Sequence, residues 1–223
     1  MLWSAERAVV TGSSTGIGQA LVEALKEHGA AVAHCSRSGA GGGVACDVSD
    51  QAQVVEFAQR VFHDIGTPTL LVNNAGIARW GLVHEQTLAD WNANLAVNLT
   101  GMFLVTRAFL PAMLEARRGT IVNMSSLAGK NGVAGGAAYS ASKHGVMGFS
   151  RSLMLEVRKQ GLRVIAVCPG SVDTAIFAKD KAPFPINTDT MMAPSDIAQV
   201  ILDAVALPDR AMVNEVEVRP TNP

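Results

Sequence analysis

Between residues 8 and 36 four features follow one another without a break. Ala8-Val9-Val10 is a short apolar run between polar neighbours. Residues 11–18, TGSSTGIG, form a turn with glycines at 12, 16 and 18. From Gly16 to about Gly29 the pattern is helical: Ile17, Ala20, Leu21, Ala24 and Leu25 fall on one face, and Gly29 supplies a stop. Ala30-Ala31-Val32-Ala33 then reads as a second buried strand. Strand, tight turn, helix, strand is a βαβ unit, the connection that two parallel neighbours require. The chain is thereby committed, from its first element, to a parallel sheet with helices packed on it.

The alternation continues. Val54 to Ile65 reads as a helix and Leu70-Leu71-Val72 as a strand. Residues 98–117 read as a long apolar helix, and residues 120–124 as a strand. A second long helix over 139–160 precedes a strand over 163–167. Ser195 to Leu207 reads as the last helix and Val213 to Val218 as the last strand. This order predicts an α/β fold, a doubly wound parallel sheet of about seven strands. Hydrophobic residues make up 48% of the chain and charged residues 17%, which excludes a disordered chain and suits a sheet buried on both faces. No linker-like stretch divides the sequence, so a single domain over residues 1–223 is expected. One connection is short. Only residues 38–46 separate Arg37 from Asp47, four of them glycine (39, 41, 42 and 43), too few for a crossover helix. A flexible loop is expected in its place.

The charge pattern narrows the partners. The formal net charge is −1, with Lys and Arg dispersed, so neither nucleic acid nor an anionic membrane is expected. Cys35, Cys46 and Cys168 lack metal-ligand spacing and read as buried reduced thiols. His28, His34, His63, His84 and His144 show no metal pattern either, and no metal site is expected. The N-terminus MLWSAERAVVTG has no signal-peptide layout, and no apolar run reaches the ~20 residues of a membrane span. A cytoplasmic location follows as the expectation.

The glycine turn is built for an anion. Gly12 permits the tight turn, while Gly16 and Gly18 let backbone approach a pyrophosphate and let helix pack on sheet. The helix that follows offers unpaired N–H groups and a partial positive charge. Downstream, Tyr139 and Lys143 stand four apart, on one face of one helix. A free phenol has a pKa of ~10, and a neighbouring ammonium favours its ionised form.

The spacing T-G-x-x-x-G-x-G resembles that of the classical short-chain dehydrogenase/reductase family. Further matches follow in order: Asn73-Asn74-Ala75-Gly76 after a strand, Asn98 in NLTG at the opening of the long helix, Ser126, Tyr139 and Lys143 as S-x12-Y-x3-K, and Pro169-Gly170 with Thr174 four residues on. The resemblance is close over about 11–175 and looser beyond. It implies a Rossmann-like fold and an NAD(P)-dependent oxidoreductase acting on a small carbonyl or alcohol. By the same resemblance Tyr139 is the general acid or base, and Lys143 lowers its pKa and binds the nicotinamide ribose. Ser126 orients the substrate oxygen; Ser125 is its nearest competitor for that role. Asn98 maintains a proton relay. The cofactor contacts implied are Gly12, Ser14, Thr15, Gly16, Ile17, Gly18, Ser36, Arg37, Asp47, Val48, Asn74, Ala75, Gly76, Tyr139, Lys143, Pro169, Gly170, Val172 and Thr174.

Family members selecting NAD carry an acidic residue at the end of the second strand. Ser36 occupies that position here and Arg37 follows, which points to NADP(H), with NAD(H) left open; Thr15 replaces a second basic residue of the family pattern. Residues 174–194 are expected to form a short lid over the substrate, with Ile176, Phe177, Phe184, Ile186, Met191 and Met192, and Trp80 to form another wall. The two long helices are apolar over more than one face, which predicts burial in a homodimer or homotetramer. Two alternatives stay open: a 3-oxoacyl-thioester reductase, and an NAD(P)H-binding regulator without turnover.

Overall fold

The computed structural model describes residues 3–177 and 187–222. Seven strands form one sheet in the order β3-β2-β1-β4-β5-β6-β7: β1 (Arg7–Thr11), β2 (Ala31–Ser36), β3 (Val44–Ala45), β4 (Leu70–Asn73), β5 (Gly119–Met124), β6 (Leu162–Pro169) and β7 (Glu215–Val218). Every pairing is parallel. The helices between them are α1 (Gly16–Glu27), α2 (Gln51–Asp64), α3 (Leu88–Leu95), α4 (Met102–Ala116), α5 (Ala137–Val157) and α6 (Pro194–Ala206).

Strand alternation sorts the core into two layers. Val10, Val72, Val122 and Ile165 face α1 and α6, meeting Leu21, Leu25, Ile197 and Ile201. Val9, Leu71, Ile121 and Val164 face α2, α4 and α5, meeting Phe57, Val61, Phe109 and Leu153. Each such fully buried side chain contributes about 1.5–3 kcal/mol. Helix ends follow local chemistry. Asp50 caps α2 by accepting from the amides of Ala52 and Gln53. Asp196 accepts from the Ala193 amide at 2.8 Å before α6. Arg163, a charged residue within the buried β6, donates to Thr120 Oγ1 and to the carbonyls of Val205 and Leu207, tying the end of α6 to the sheet.

Two expectations are corrected. The 38–46 segment is not a formless loop: a 3-10 turn over Ala40–Gly42 leads into β3, where Val44 pairs with Cys35. Two residues were too short a run to read as a strand. Nor does a helix open at Asn98. Thr87 caps α3, accepting from the Asp90 amide at 3.0 Å, and α3 runs through a π-helical stretch, Ala96–Gly101, directly into α4. Asn98 therefore sits mid-helix. The polar Asn92 and Asn94 hid α3, because the partner that takes Asn94 into the interior, the Arg79 backbone, lies elsewhere in the chain. The resulting Leu88–Ala116 helix is long and apolar enough, by length and composition, to cross a membrane, although Asp90, Asn92, Asn94, Asn98 and Arg107 interrupt its apolar residues. Its Phe109 and Met113 are fully buried under the sheet, as in a core helix.

The strand order reverses between β1 and β4. A crevice opens at the carboxyl ends of these two strands, as the crossovers depart to opposite faces.

Candidate active site

The turns that follow β1 and β4 are stitched together at this crevice. Thr11 Oγ1 accepts from the amides of Asn74 and Ala75, both at 3.1 Å. Asn74 Nδ2 donates back to the carbonyls of Thr11 and Gly12 at 2.9 and 3.0 Å. Gly12 is needed twice over. Its φ is +67°, and a Cβ would stand 2.7 Å from Ala75 Cα. Thr15 opens α1 without a side-chain cap, so the first amides of α1 have no intrahelical partner and face outward for an anion.

Beside these turns lies a cavity of about 700 Å³, the size of a cofactor site. Of the residues expected at a cofactor, Gly12, Ser14, Thr15, Gly16, Ile17, Ser36, Arg37, Asp47, Val48, Asn74, Ala75, Gly76 and Thr174 line it. Gly18, Tyr139, Lys143, Pro169, Gly170 and Val172 are not on its wall. Gly18 is packed under the turn, where a Cβ would fall 2.3 Å from the Gly12 carbonyl oxygen. Gly170 donates to the Val218 carbonyl, and Val172 is buried in the core. Ser38, Cys46, Ile77, Ala78, Arg79, Val97 and Ala175 also line the cavity but were not singled out; continuity with the Asn73–Gly76 turn was the available signal for residues 77–79. Free amides at a helix start, a cavity of this size and Arg37, which pairs with no carboxylate among the described residues, fit a dinucleotide carrying an extra phosphate.

Behind the cavity wall at Gly76 the expected reacting groups converge. A Cβ on Gly76 would meet Asn98 Oδ1 at 3.4 Å and Lys143 Nζ at 3.6 Å, so these side chains flank Gly76. Tyr139 and Lys143 are buried, side by side on α5. The Trp80 ring lies 5.2 Å from that of Tyr139, and Gly136 leaves room for the indole, since a Cβ there would stand 2.8 Å from it. Ser126 neighbours the Tyr139 phenol; its hydroxyl accepts from the Ala128 amide at 3.1 Å and donates to the Pro169 carbonyl at 3.5 Å. Ser125 is committed elsewhere: it is buried and donates to the Lys143 carbonyl at 3.1 Å. Geometry thus separates the two serines.

Burial dominates the electrostatics. It pushes the Tyr139 phenol up, while the neighbouring Ser126 hydroxyl pulls it down. Burial pushes the Lys143 ammonium down to about 8, and this group donates to the Met124 carbonyl at 2.8 Å. Asn98 is fully engaged as well. Its Oδ1 accepts from the Ile77 amide, and its Nδ2 donates to the Ile77 carbonyl and to Ser142 Oγ.

Of the expected lid, Ile176 lines the cavity. Met192 packs on the core and pairs with Val172. Phe184 and Ile186 lie outside the described residues, as does the Phe177 side chain.

Comparison with known proteins extends this picture. Residues 6–183 match the family model described as short chain dehydrogenase. A 2-(S)-hydroxypropyl-CoM dehydrogenase of Xanthobacter autotrophicus is 37% identical and covers 88% of each chain. A 3-oxoacyl-[acyl-carrier-protein] reductase of Vibrio cholerae is 37% identical over 75% of this chain and 73% of its own. The crystal structure of a metagenomic short-chain oxidoreductase in complex with NADP superposes with a TM-score of 0.83, at 40% identity, covering 99% of this chain and all of that one.

Proposed function

The chain belongs to the short-chain dehydrogenase family, and from that premise we propose that it catalyses the NADPH-dependent reduction of a ketone or aldehyde, or the reverse oxidation of an alcohol. One observation carries the reading. Ser126, Tyr139 and Lys143 converge where Gly76, on the cavity wall, meets Asn98.

The pyrophosphate is held by the amides that open α1 and by the glycine turn at 12–18. Arg37 supplies a cation for a 2′-phosphate, and Ser36 adds a hydroxyl where a carboxylate would select the unphosphorylated ribose. The relative solved with NADP supports this preference. When bound, the nicotinamide supplies or accepts the hydride. The remaining work falls to side chains. Ser126 orients the substrate oxygen. Tyr139 donates a proton from its phenol to that oxygen in reduction and removes one in oxidation. Lys143 favours the ionised phenol when charged, and holds the nicotinamide ribose. Asn98 braces Ile77 beside Lys143 and lies on the route by which protons return to Tyr139.

The reading includes a cytoplasmic single domain that self-associates. Phe103 (42% exposed), Leu88 (73%) and Leu155 (60%) leave apolar surface on the long helices, which a second copy would cover in a homodimer or homotetramer. A second substrate class, 3-oxoacyl thioesters, is favoured by the Vibrio relative.

The test is a panel of ketones, aldehydes and 3-oxoacyl thioesters assayed with NADPH and NADH. Carbonyl-dependent NADPH oxidation is expected. Cofactor binding without turnover on any member would replace this reading with that of a regulator.

A further inference from the structure

The stretch following the Asn73–Gly76 turn is held by two amides one helical turn apart. Asn98 clasps Ile77 through both its N–H and its C=O, at 2.8 and 2.9 Å. Asn94 does the same to Arg79: its Oδ1 accepts from the Arg79 amide at 3.2 Å, and its Nδ2 donates to the Arg79 carbonyl at 3.1 Å. Gln86 Nε2 adds a second donor to that carbonyl at 2.9 Å. The Gly81 amide closes the far end on the Gly135 carbonyl. Asn94 is completely buried, so disturbing this clasp would strand polar groups away from water. The backbone of residue 79 is thus immobilised by the Asn94 and Gln86 side chains.

What this fixed position presents is a cation. Arg79 lines the cavity, is exposed, and among the described residues no carboxylate pairs with it. Its neighbour Trp80 rests on Tyr139, which puts Arg79 at the reacting end. The phosphates of a cofactor are served elsewhere, by the start of α1 and by Arg37 at the end of β2, on the opposite side of the β1–β4 crevice from Arg79. A guanidinium at the reacting end is surplus to that task.

We infer that Arg79 is a specificity-determining residue that binds an anionic group of the substrate, a carboxylate, sulfonate or phosphate carried near the carbonyl. The inference rests on the carbonyl-reductase reading above and deepens it. A planar guanidinium grips such oxygens in pairs. Its position is set by Asn94, so the distance from anion to reacting carbonyl is set as well. The enzyme then selects oxo acids, or carbonyl compounds with an equivalent anion, over neutral ketones of the same shape.

The test compares 3-oxobutanoate and 4-oxopentanoate with their methyl esters, in the wild type, Arg79→Gln and Arg79→Lys. The wild type is expected to favour the acid of at least one pair. Arg79→Gln is expected to raise the KM of that acid roughly 10- to 100-fold while leaving kcat and the ester unchanged, and Arg79→Lys to recover part of the loss. Added salt should weaken binding of the acid but not of the ester. Calorimetric titration of 3-hydroxybutanoate, 4-hydroxypentanoate and their methyl esters into the enzyme–NADPH complex gives a readout that does not need turnover. Equal binding of acid and ester in both pairs, or a variant that shifts acid and ester together, overturns the inference. So does a loss confined to NADPH affinity. Failure to reduce any carbonyl compound would count against the reductase reading, while the titration still decides whether Arg79 is an anion receptor.

Discussion

Lys143 holds its ammonium 5.7 Å from the centre of the Tyr139 ring yet gives a hydrogen bond to the Met124 carbonyl. The pair is adjacent but not directly joined. Burial raises the phenol and lowers the ammonium, so in the protein alone each group leans towards its neutral form. At neutral pH Lys143, with a pKa of about 8, still carries its charge.

Tyr139→Phe is expected to remove the proton donor and little else. The ring keeps its contact with Trp80, and Ser126 keeps its backbone partner Ala128. Turnover should fall by about 10²- to 10⁴-fold, while NADPH binding and the melting temperature change little. Retained turnover would remove Tyr139 from its role.

Lys143→Met should stabilise the cofactor-free protein at neutral pH. A lysine whose pKa falls to about 8 on folding binds its proton more tightly in the unfolded chain. The native state therefore pays the full penalty below pH 8, and stability rises with pH from there to the unfolded pKa of ~10.4. The penalty relieved is about 3 kcal/mol before loss of the Met124 hydrogen bond is counted. Denaturant melts at several pH values should show a gain for the variant below pH 8 that vanishes above the unfolded pKa. A gain independent of pH would mean that packing, not charge, is responsible.

Arg37→Ser should weaken NADPH binding by roughly 10- to 100-fold, the worth of a charge-assisted contact, and leave NADH unaffected. Adding Ser36→Asp should reverse the preference. Fluorescence titration with both cofactors reads this out. An equal loss for both would place Arg37 outside the 2′-phosphate contact.

His34 offers an acid-side prediction. It is buried beneath the glycine turn, with Ser13 Oγ 2.8 Å from Nδ1 and Lys26 Nζ 3.4 Å from Nε2. Burial first, and Lys26 second, lower its pKa. Below its ordinary value of 6.5 the unfolded chain takes up a proton that the folded protein resists, so stability falls as pH falls through that value. His34→Gln keeps hydrogen-bonding capacity and should flatten this decline. An unchanged acid limb in thermal melts would show that His34 does not contribute to it.

The elements that could be read in sequence are those whose cause is local. The Gly12–Gly18 turn, the periodicity of α1 and the apolar run of β6 depend on neighbours within a few residues. The four-residue spacing of Tyr139 and Lys143 on α5 does so too. What escaped depends on partners far along the chain. Val44–Ala45 becomes a strand only because β2 offers it an edge. Asn94 looks like a surface residue of a polar segment, and its burial comes from Arg79, 15 positions earlier. Ser125 and Ser126 are indistinguishable by composition. They separate because only Ser125 is turned to the Lys143 backbone, 18 positions on.

By itself the sequence determined a doubly wound parallel sheet, the phosphate turn at the end of β1, and a tyrosine and lysine sharing one helix face, because hydrophobic period and backbone sterics act over short range. Only the tertiary structure decided that Gly76 brings Asn98 and Lys143 together, that Lys143 bonds to Met124 rather than Tyr139, and that Arg79 is clasped at the cavity wall. Those outcomes follow from which distant polar groups must be satisfied once the sheet has excluded water, a demand that exists only after the chain has closed on itself.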